Sequence, residues 1–135
     1  MADSLPTASE PWLPQVADRN SPTLYTHRLI LRKFTWADLN RIYLIFSDRD
    51  VNTYLPWFPL SSLEEAADFF QDRYLKAYSE PESYSYAVCM KSENLPIGYI
   101  NLSLDDSHDL GYGLLKEYWN QGIITEAAAA LISHA

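Results

Sequence analysis

The chain has 135 residues, 47% hydrophobic and 14% aromatic, which is enough for one domain with a real core. Ten basic against 18 acidic residues give a net charge of −8, which argues against nonspecific nucleic-acid binding, since that affinity comes from Lys and Arg on phosphates. The acidity suits a cationic partner such as an amine or a basic protein tail, and it suits plain solubility equally well.

The single cysteine, Cys89, lies in an apolar run, so no internal disulfide can form. A buried, inert thiol in a reducing compartment is the expectation. Met1-Ala2-Asp3-Ser4 lacks the charged-then-apolar pattern of a secretory leader, and no apolar run approaches membrane-spanning length. The sequence therefore reads as a soluble cytoplasmic protein, and the Asn101-Leu102-Ser103 sequon is set aside.

Residues 1–22 hold four of the eight prolines and no periodicity, and they read as an extended or mobile arm, with the domain proper over 23–135. Trp12 and Leu13 in that arm are candidates for docking on the domain or on a second subunit, so a homodimer is allowed. Thr26 to Arg32 reads as a first strand, with Leu29 and Leu31 facing one way and Arg28, Ile30 and Arg32 the other. Thr35 then caps a helix with Asp38 in capping-box position, and Leu39, Ile42, Tyr43 and Phe46 form its buried stripe.

The stretch from Val51 to Pro59 cannot be helical past Pro56, yet it carries Tyr54, Trp57 and Phe58 in what should be a loop. Those aromatics are either a satellite cluster beneath the loop or a wall for a substrate. Ser61 and Ser62 with Glu64 and Glu65 offer two capping boxes. Leu63, Ala66, Ala67, Phe70, Tyr74, Ala77 and Tyr78 follow at helical spacing as a core stripe. Tyr84–Met90 and Ile97–Leu102 are two strands joined by a polar turn of hairpin length. Asp105-Asp106-Ser107-His108-Asp109 is read as a solvated turn, and no metal is expected, because no second ligand group is apparent elsewhere.

The chain is organised around residues 110–127, Leu-Gly-Tyr-Gly-Leu-Leu-Lys-Glu-Tyr-Trp-Asn-Gln-Gly-Ile-Ile-Thr-Glu-Ala. A Gly-punctuated strand meets an aromatic connector, and Gly122 opens a helix with Ile123, Ile124, Ala127, Ala128, Leu131 and Ile132 on one broad face. No Ser, Thr or Asp stands immediately before that helix to cap it, so its first amides are open to an anion. The order of elements is strand, two helices, three antiparallel strands, helix, which makes the class α+β.

That run resembles the acetyl-CoA-binding segment of the GNAT N-acetyltransferases, of the branch that acetylates ribosomal-protein N-termini (RimJ/RimL-like). The resemblance extends from about Thr26 to the last residue. It implies the GNAT fold, a mixed, mostly antiparallel sheet flanked by helices, with the C-terminal strands missing from these 135 residues. It implies a cofactor site in which the backbone of Tyr112, Gly113 and Leu114 pairs with the pantetheine arm. The pyrophosphate would rest on the amides of Gln121, Gly122, Ile123, Ile124 and Thr125, with the Thr125 hydroxyl either adding a contact or turned back on its own helix.

The implied reaction is direct acetyl transfer from acetyl-CoA to a primary amine, namely a protein N-terminus, a polyamine or an aminoglycoside-like amine. Asp109, acting through water, is the first candidate for general base, and His108 is the second. Both are also ordinary turn residues. The Leu114 N–H is the candidate donor to the thioester oxyanion. The Tyr54, Trp57 and Phe58 loop would line the acceptor cleft. Two departures stand out: Trp119 replaces a Gln or Arg and Ile124 a Gly or Ala, leaving Gln121 to supply the polar contact. The proton donor to the departing thiolate has no counterpart in the chain. The alternative is a non-catalytic acyl-CoA-binding or protein-interaction module on the same fold.

Overall fold

A computed structural model describes residues 19–51, 59–104 and 109–134. Tyr54, Trp57, Phe58 and His108 therefore lie outside the described residues, as does the arm up to residue 18. Five strands, β1 (Leu24–Tyr25), β2 (Leu29–Arg32), β3 (Ser85–Met90), β4 (Pro96–Leu102) and β5 (Leu110–Leu114), form one sheet in sequence order. Every neighbouring pair is antiparallel. This is the expected α+β class with one strand more. Two-residue β1 is too short to carry a period-2 signal.

Alternation along the strands divides the core in two. Leu29, Leu31, Tyr86, Val88, Ile100 and Leu114 face α4 (Ile123–His134), where they bury Ile123, Ala127 and Leu131. Ala87, Cys89 and Tyr99 face the other way, onto α1 (Leu39–Ser47) and α2 (Leu63–Phe69). Cys89 is fully buried there, and burial pushes its thiol up to about 11, which removes its nucleophilic form near neutrality.

Several local expectations shift in detail. A 3-10 turn (Trp36–Asp38) precedes α1, and buried Asp38 accepts from the Thr35 N–H at 2.8 Å while pairing with Arg32 at 2.8 Å. Helix α2 continues through a π-helical stretch (Phe70–Leu75) into a last turn, α3 (Lys76–Tyr78). Its buried residues Ala66, Phe70 and Tyr74 are spaced by four, while Leu63 is 47% exposed. In α4, Ile132 is 61% exposed instead of buried, because the burial follows Ile123, Ala127 and Leu131.

Residues 19–22, read as part of the arm, are tied to the domain. Asn20 Nδ2 donates to the Ala77 and Glu80 carbonyls at 2.9 and 2.7 Å, and the Tyr86 hydroxyl donates to the Pro22 carbonyl at 2.7 Å. Among the described residues no helix is long and apolar enough to cross a membrane, and no cluster of His, Cys, Asp and Glu is arranged to hold a metal.

Candidate functional site

The site is built where β5 ends and α4 begins. Among the described residues strand β5 is the sheet's edge, with β4 its single neighbour. The Leu115 N–H donates to the Ile97 carbonyl at 2.9 Å and the Ser103 N–H to the Asp109 carbonyl at 2.8 Å. Those two bonds set the parity of the ladder: Gly111 and Gly113 turn their polar groups to β4, whereas Leu110, Tyr112 and Leu114 turn theirs to the open edge. The Leu114 carbonyl on that edge accepts from the Trp119 indole Nε1 at 2.6 Å, which leaves its N–H on the same edge.

This corrects one detail for Gly113. Its amide and carbonyl face Tyr99, so it does not pair with an added strand. It is instead a packing glycine, because a Cβ there would come within 2.5 Å of the Tyr99 ring and 2.8 Å of Val51 Cγ1. Tyr112 and Leu114 keep outward-facing backbone groups, and the exposed Tyr112 side chain lies along the same edge.

The chain then passes through a 3-10 turn (Lys116–Tyr118) and two left-handed residues, Asn120 (φ 62°) and Gly122 (φ 74°). Asn tolerates that region and Gly is at home in it. Such alternation turns successive N–H groups toward one concavity. The first bond of α4 is Glu126 N–H to the Gly122 carbonyl at 3.0 Å. Among the described residues nothing accepts from the amides of Gln121, Gly122, Ile123, Ile124 or Thr125. A Cβ on Gly122 would fit without a clash, in van der Waals contact with Arg28 Nη2 at 3.7 Å.

Edge and helix start share a groove of about 840 Å³. Leu110 to Leu114 line it on one side, with Trp119, Asn120 and Gly122 to Thr125 on the other, and Tyr99, Asn101 and Arg73 also contribute to its wall. Thr125 is exposed in the groove, and its hydroxyl has no partner among the described residues. Ile124 lines the groove as well, but it is half-buried and packs against the α4-side core. The Gln121 side chain is turned away, donating to the Glu117 carbonyl at 3.1 Å. Exposed Asp109 stands at the head of β5 and is not among the lining residues.

Sequence reasoning missed three contributors. Asn101 on β4 lines the groove, and its buried side-chain amide lies beside the buried Tyr74 hydroxyl. Trp119 closes the Leu114 carbonyl. Glu126, in the first turns of α4, reaches back to the start of β2: Oε2 accepts from the Thr26 hydroxyl at 2.5 Å and the Arg28 N–H at 2.9 Å, and Oε1 accepts from Arg28 Nε at 2.8 Å. Partial burial raises that carboxyl, but the Thr26 and Arg28 donors outweigh it and hold the group at about 2.

The donor set fits a diphosphate followed by a strand-like arm: five open amides around a bare Gly122, then outward backbone groups on Leu114 and Tyr112. A family model for the acetyltransferase (GNAT) domain matches residues 28–135. The uncharacterized N-acetyltransferase YoaA of Bacillus subtilis is 28% identical over 117 residues, covering 84% of this chain and 66% of that protein. Among solved structures, a GNAT-family acetyltransferase from Bacillus anthracis matches with TM-score 0.67 at 24% identity, over 84% of this chain and 65% of that one. RimL, a ribosomal-protein alpha-N-acetyltransferase in complex with coenzyme A, matches with TM-score 0.67 at 18% identity, over 84% of this chain and 67% of the other. These two likenesses speak to fold. The chain thus spans about two thirds of the length of the curated relatives it matches.

Proposed function

The chain belongs to the GNAT acetyltransferase family, and from that premise we propose that it moves the acetyl group of acetyl-CoA to a primary amine by direct attack, in the reducing cytoplasm. The observation that carries the reading is the run of open amides from Gln121 to Thr125 around Gly122, at the positive end of a 12-residue helix. Acetyl-CoA supplies an activated thioester, and the residues of this chain supply position, charge stabilisation and proton handling.

Gln121 to Thr125 hold the diphosphate through their N–H groups, and the Thr125 hydroxyl adds a donor. The outward groups of Tyr112 and Leu114 align the arm that follows. The Leu114 N–H donates to the carbonyl oxygen on which charge develops, and such preorganised donors commonly contribute most to acyl transfer.

The attacking amine must be neutral. Asp109 lies off the groove wall, so its proton acceptance runs through water. That favours an α-amine, with a free pKa near about 8, over a lysine near about 10.4. A protein N-terminus is accordingly the first acceptor, ahead of polyamines and aminoglycoside-like amines. The family resemblance assigns Tyr54, Trp57 and Phe58 to acceptor binding, and His108 is the alternate proton acceptor.

Calorimetric titration with acetyl-CoA, followed by CoA release in the presence of a panel of peptide and small amines, tests the reading. Saturable binding with amine-dependent release is expected, fastest with peptides bearing a free N-terminus. Binding without release from any acceptor would reduce the reading to a non-catalytic acyl-CoA-binding module.

A further inference from the structure

We propose that Arg28 binds the diphosphate of the coenzyme, delivered to the start of α4 by Glu126. The inference rests on the acetyl-CoA reading above and adds a residue to that site from the turn before β2, far from it in sequence.

Two arginines, Arg28 and Arg32, stand four positions apart, one just before β2 and one at its end, and they are used differently. Arg32 is saturated: its Nε donates to Asn94 Oδ1, Nη1 to the Lys33 carbonyl and Asp38, and Nη2 to Asp38 and the Asn94 carbonyl. That guanidinium has no donor left for a ligand. Arg28 donates through Nε alone, to Glu126 Oε1 at 2.8 Å. Among the described residues neither of its terminal nitrogens has a partner, and its side chain is about one-third exposed.

The direction of that fork matters as much as its freedom. Arg28 Nη2 is the one atom beyond Gly122's chain neighbours within 4 Å of the point where a Gly122 Cβ would lie. Arg28 is not itself a lining residue of the groove, but one of its free terminal nitrogens stands within reach of the residue around which the open amides are arranged. Glu126 is an anchor and not a competitor, since its other oxygen is already committed to the Thr26 hydroxyl and the Arg28 N–H. A dianionic diphosphate approaching a chain of net charge −8 gains from a full cation beside the partial charges of a helix start. A planar fork held at Nε presents its ends for charge-assisted bonds to phosphate oxygens.

The test is the dissociation constant of CoA for wild type, Arg28→Gln, Arg28→Lys and Thr26→Ala, with dephospho-CoA and inorganic pyrophosphate as competing probes. Arg28→Gln is expected to weaken CoA, dephospho-CoA and pyrophosphate alike by about tenfold, and Arg28→Lys to recover part of the loss. Thr26→Ala loosens the same Glu126 cluster without touching the terminal nitrogens, and it is expected to stay within about threefold of wild type. If Thr26→Ala matches Arg28→Gln, the role is structural and the proposal is wrong. If the loss appears with CoA but not with dephospho-CoA or pyrophosphate, Arg28 serves the 3′-phosphate and the proposal is equally wrong. A wild-type chain that binds CoA as tightly as its Arg28→Gln variant overturns this inference alone, whereas a wild-type chain that binds no CoA overturns the acetyl-CoA reading with it.

Discussion

Helices α2 and α4 begin in opposite ways. At α2, Ser62 in extended backbone accepts the Glu65 N–H at 3.1 Å, and Glu65 Oε1 accepts from the Ser61 N–H and hydroxyl at 2.9 and 3.0 Å. Residues adjacent in sequence take up the donors there. At α4, Gly122 is left-handed and has no side chain, and five amides stay open. The first-turn glutamate of α4 also behaves differently, since Glu126 turns away from its own helix to Thr26 and Arg28 about a hundred positions earlier. Finishing a helix start locally stabilises the helix and removes its anion site. Leaving it open keeps that site and requires tertiary contacts to hold the helix in place.

The largest expected break in this contrast comes from Gly122→Trp. An indole at the open position, together with the strain of an L side chain at φ 74°, should weaken acetyl-CoA binding by more than about a hundredfold in calorimetry, while costing the fold about 1–2 kcal/mol. If binding survived in that variant, the diphosphate would not be at this helix start.

Next in size is the acid response of Glu126. Its pKa falls from an ordinary 4.5 to about 2 on folding, so its stabilisation is fully present above about pH 4.5 and is lost as pH drops toward 2. Urea unfolding from pH 6 to pH 2.5 should fall more steeply for wild type than for Glu126→Gln. The gap near pH 6 should be about 1–2 kcal/mol after allowance for solvent screening. Asp38, also lowered against Arg32 and Thr35, keeps some slope in both proteins, so equal slopes would refute the Glu126 assignment and not the method.

Ser62→Ala sharpens the contrast from the other side. Removing the α2 cap should cost about 1 kcal/mol in urea unfolding and leave the acetyl-CoA dissociation constant within about twofold. The smallest effect is expected for Trp119→Phe, which frees the Leu114 carbonyl at a partly wet edge. About 0.5–1 kcal/mol in stability and a few-fold change in CoA affinity should follow.

What was legible in the sequence follows the same division. Ser62 and Glu65, Thr35 and Asp38, and the alternation of Leu29 and Leu31 against Ile30 are local patterns, and each appears in the fold at its expected place. The open start of α4 was legible for the same reason, because a missing cap is a local fact. Less was legible where partners are distant in the chain. The docking of Asn20 under Ala77 and the reach of Glu126 to Arg28 depend on pairings 57 and 98 positions apart. Gly113 is the clearest case. The family resemblance put its backbone against the pantetheine arm, but the register turns it to β4 and leaves Leu114 and Tyr112 on the edge.

By itself, then, the sequence determined the order of elements apart from β1, the α+β class, the family likeness and the place of an uncapped helix start. Spacing and capping within a dozen residues decide those. Tertiary structure alone decided which face of β5 is open, how the groove closes around Tyr99 and Asn101, and that Arg28 and not Arg32 points free donors at Gly122. Strand parity flips with a single step of register, and a guanidinium's availability depends on which carboxylate the fold brings to it. Neither is encoded in the neighbours of the residue concerned.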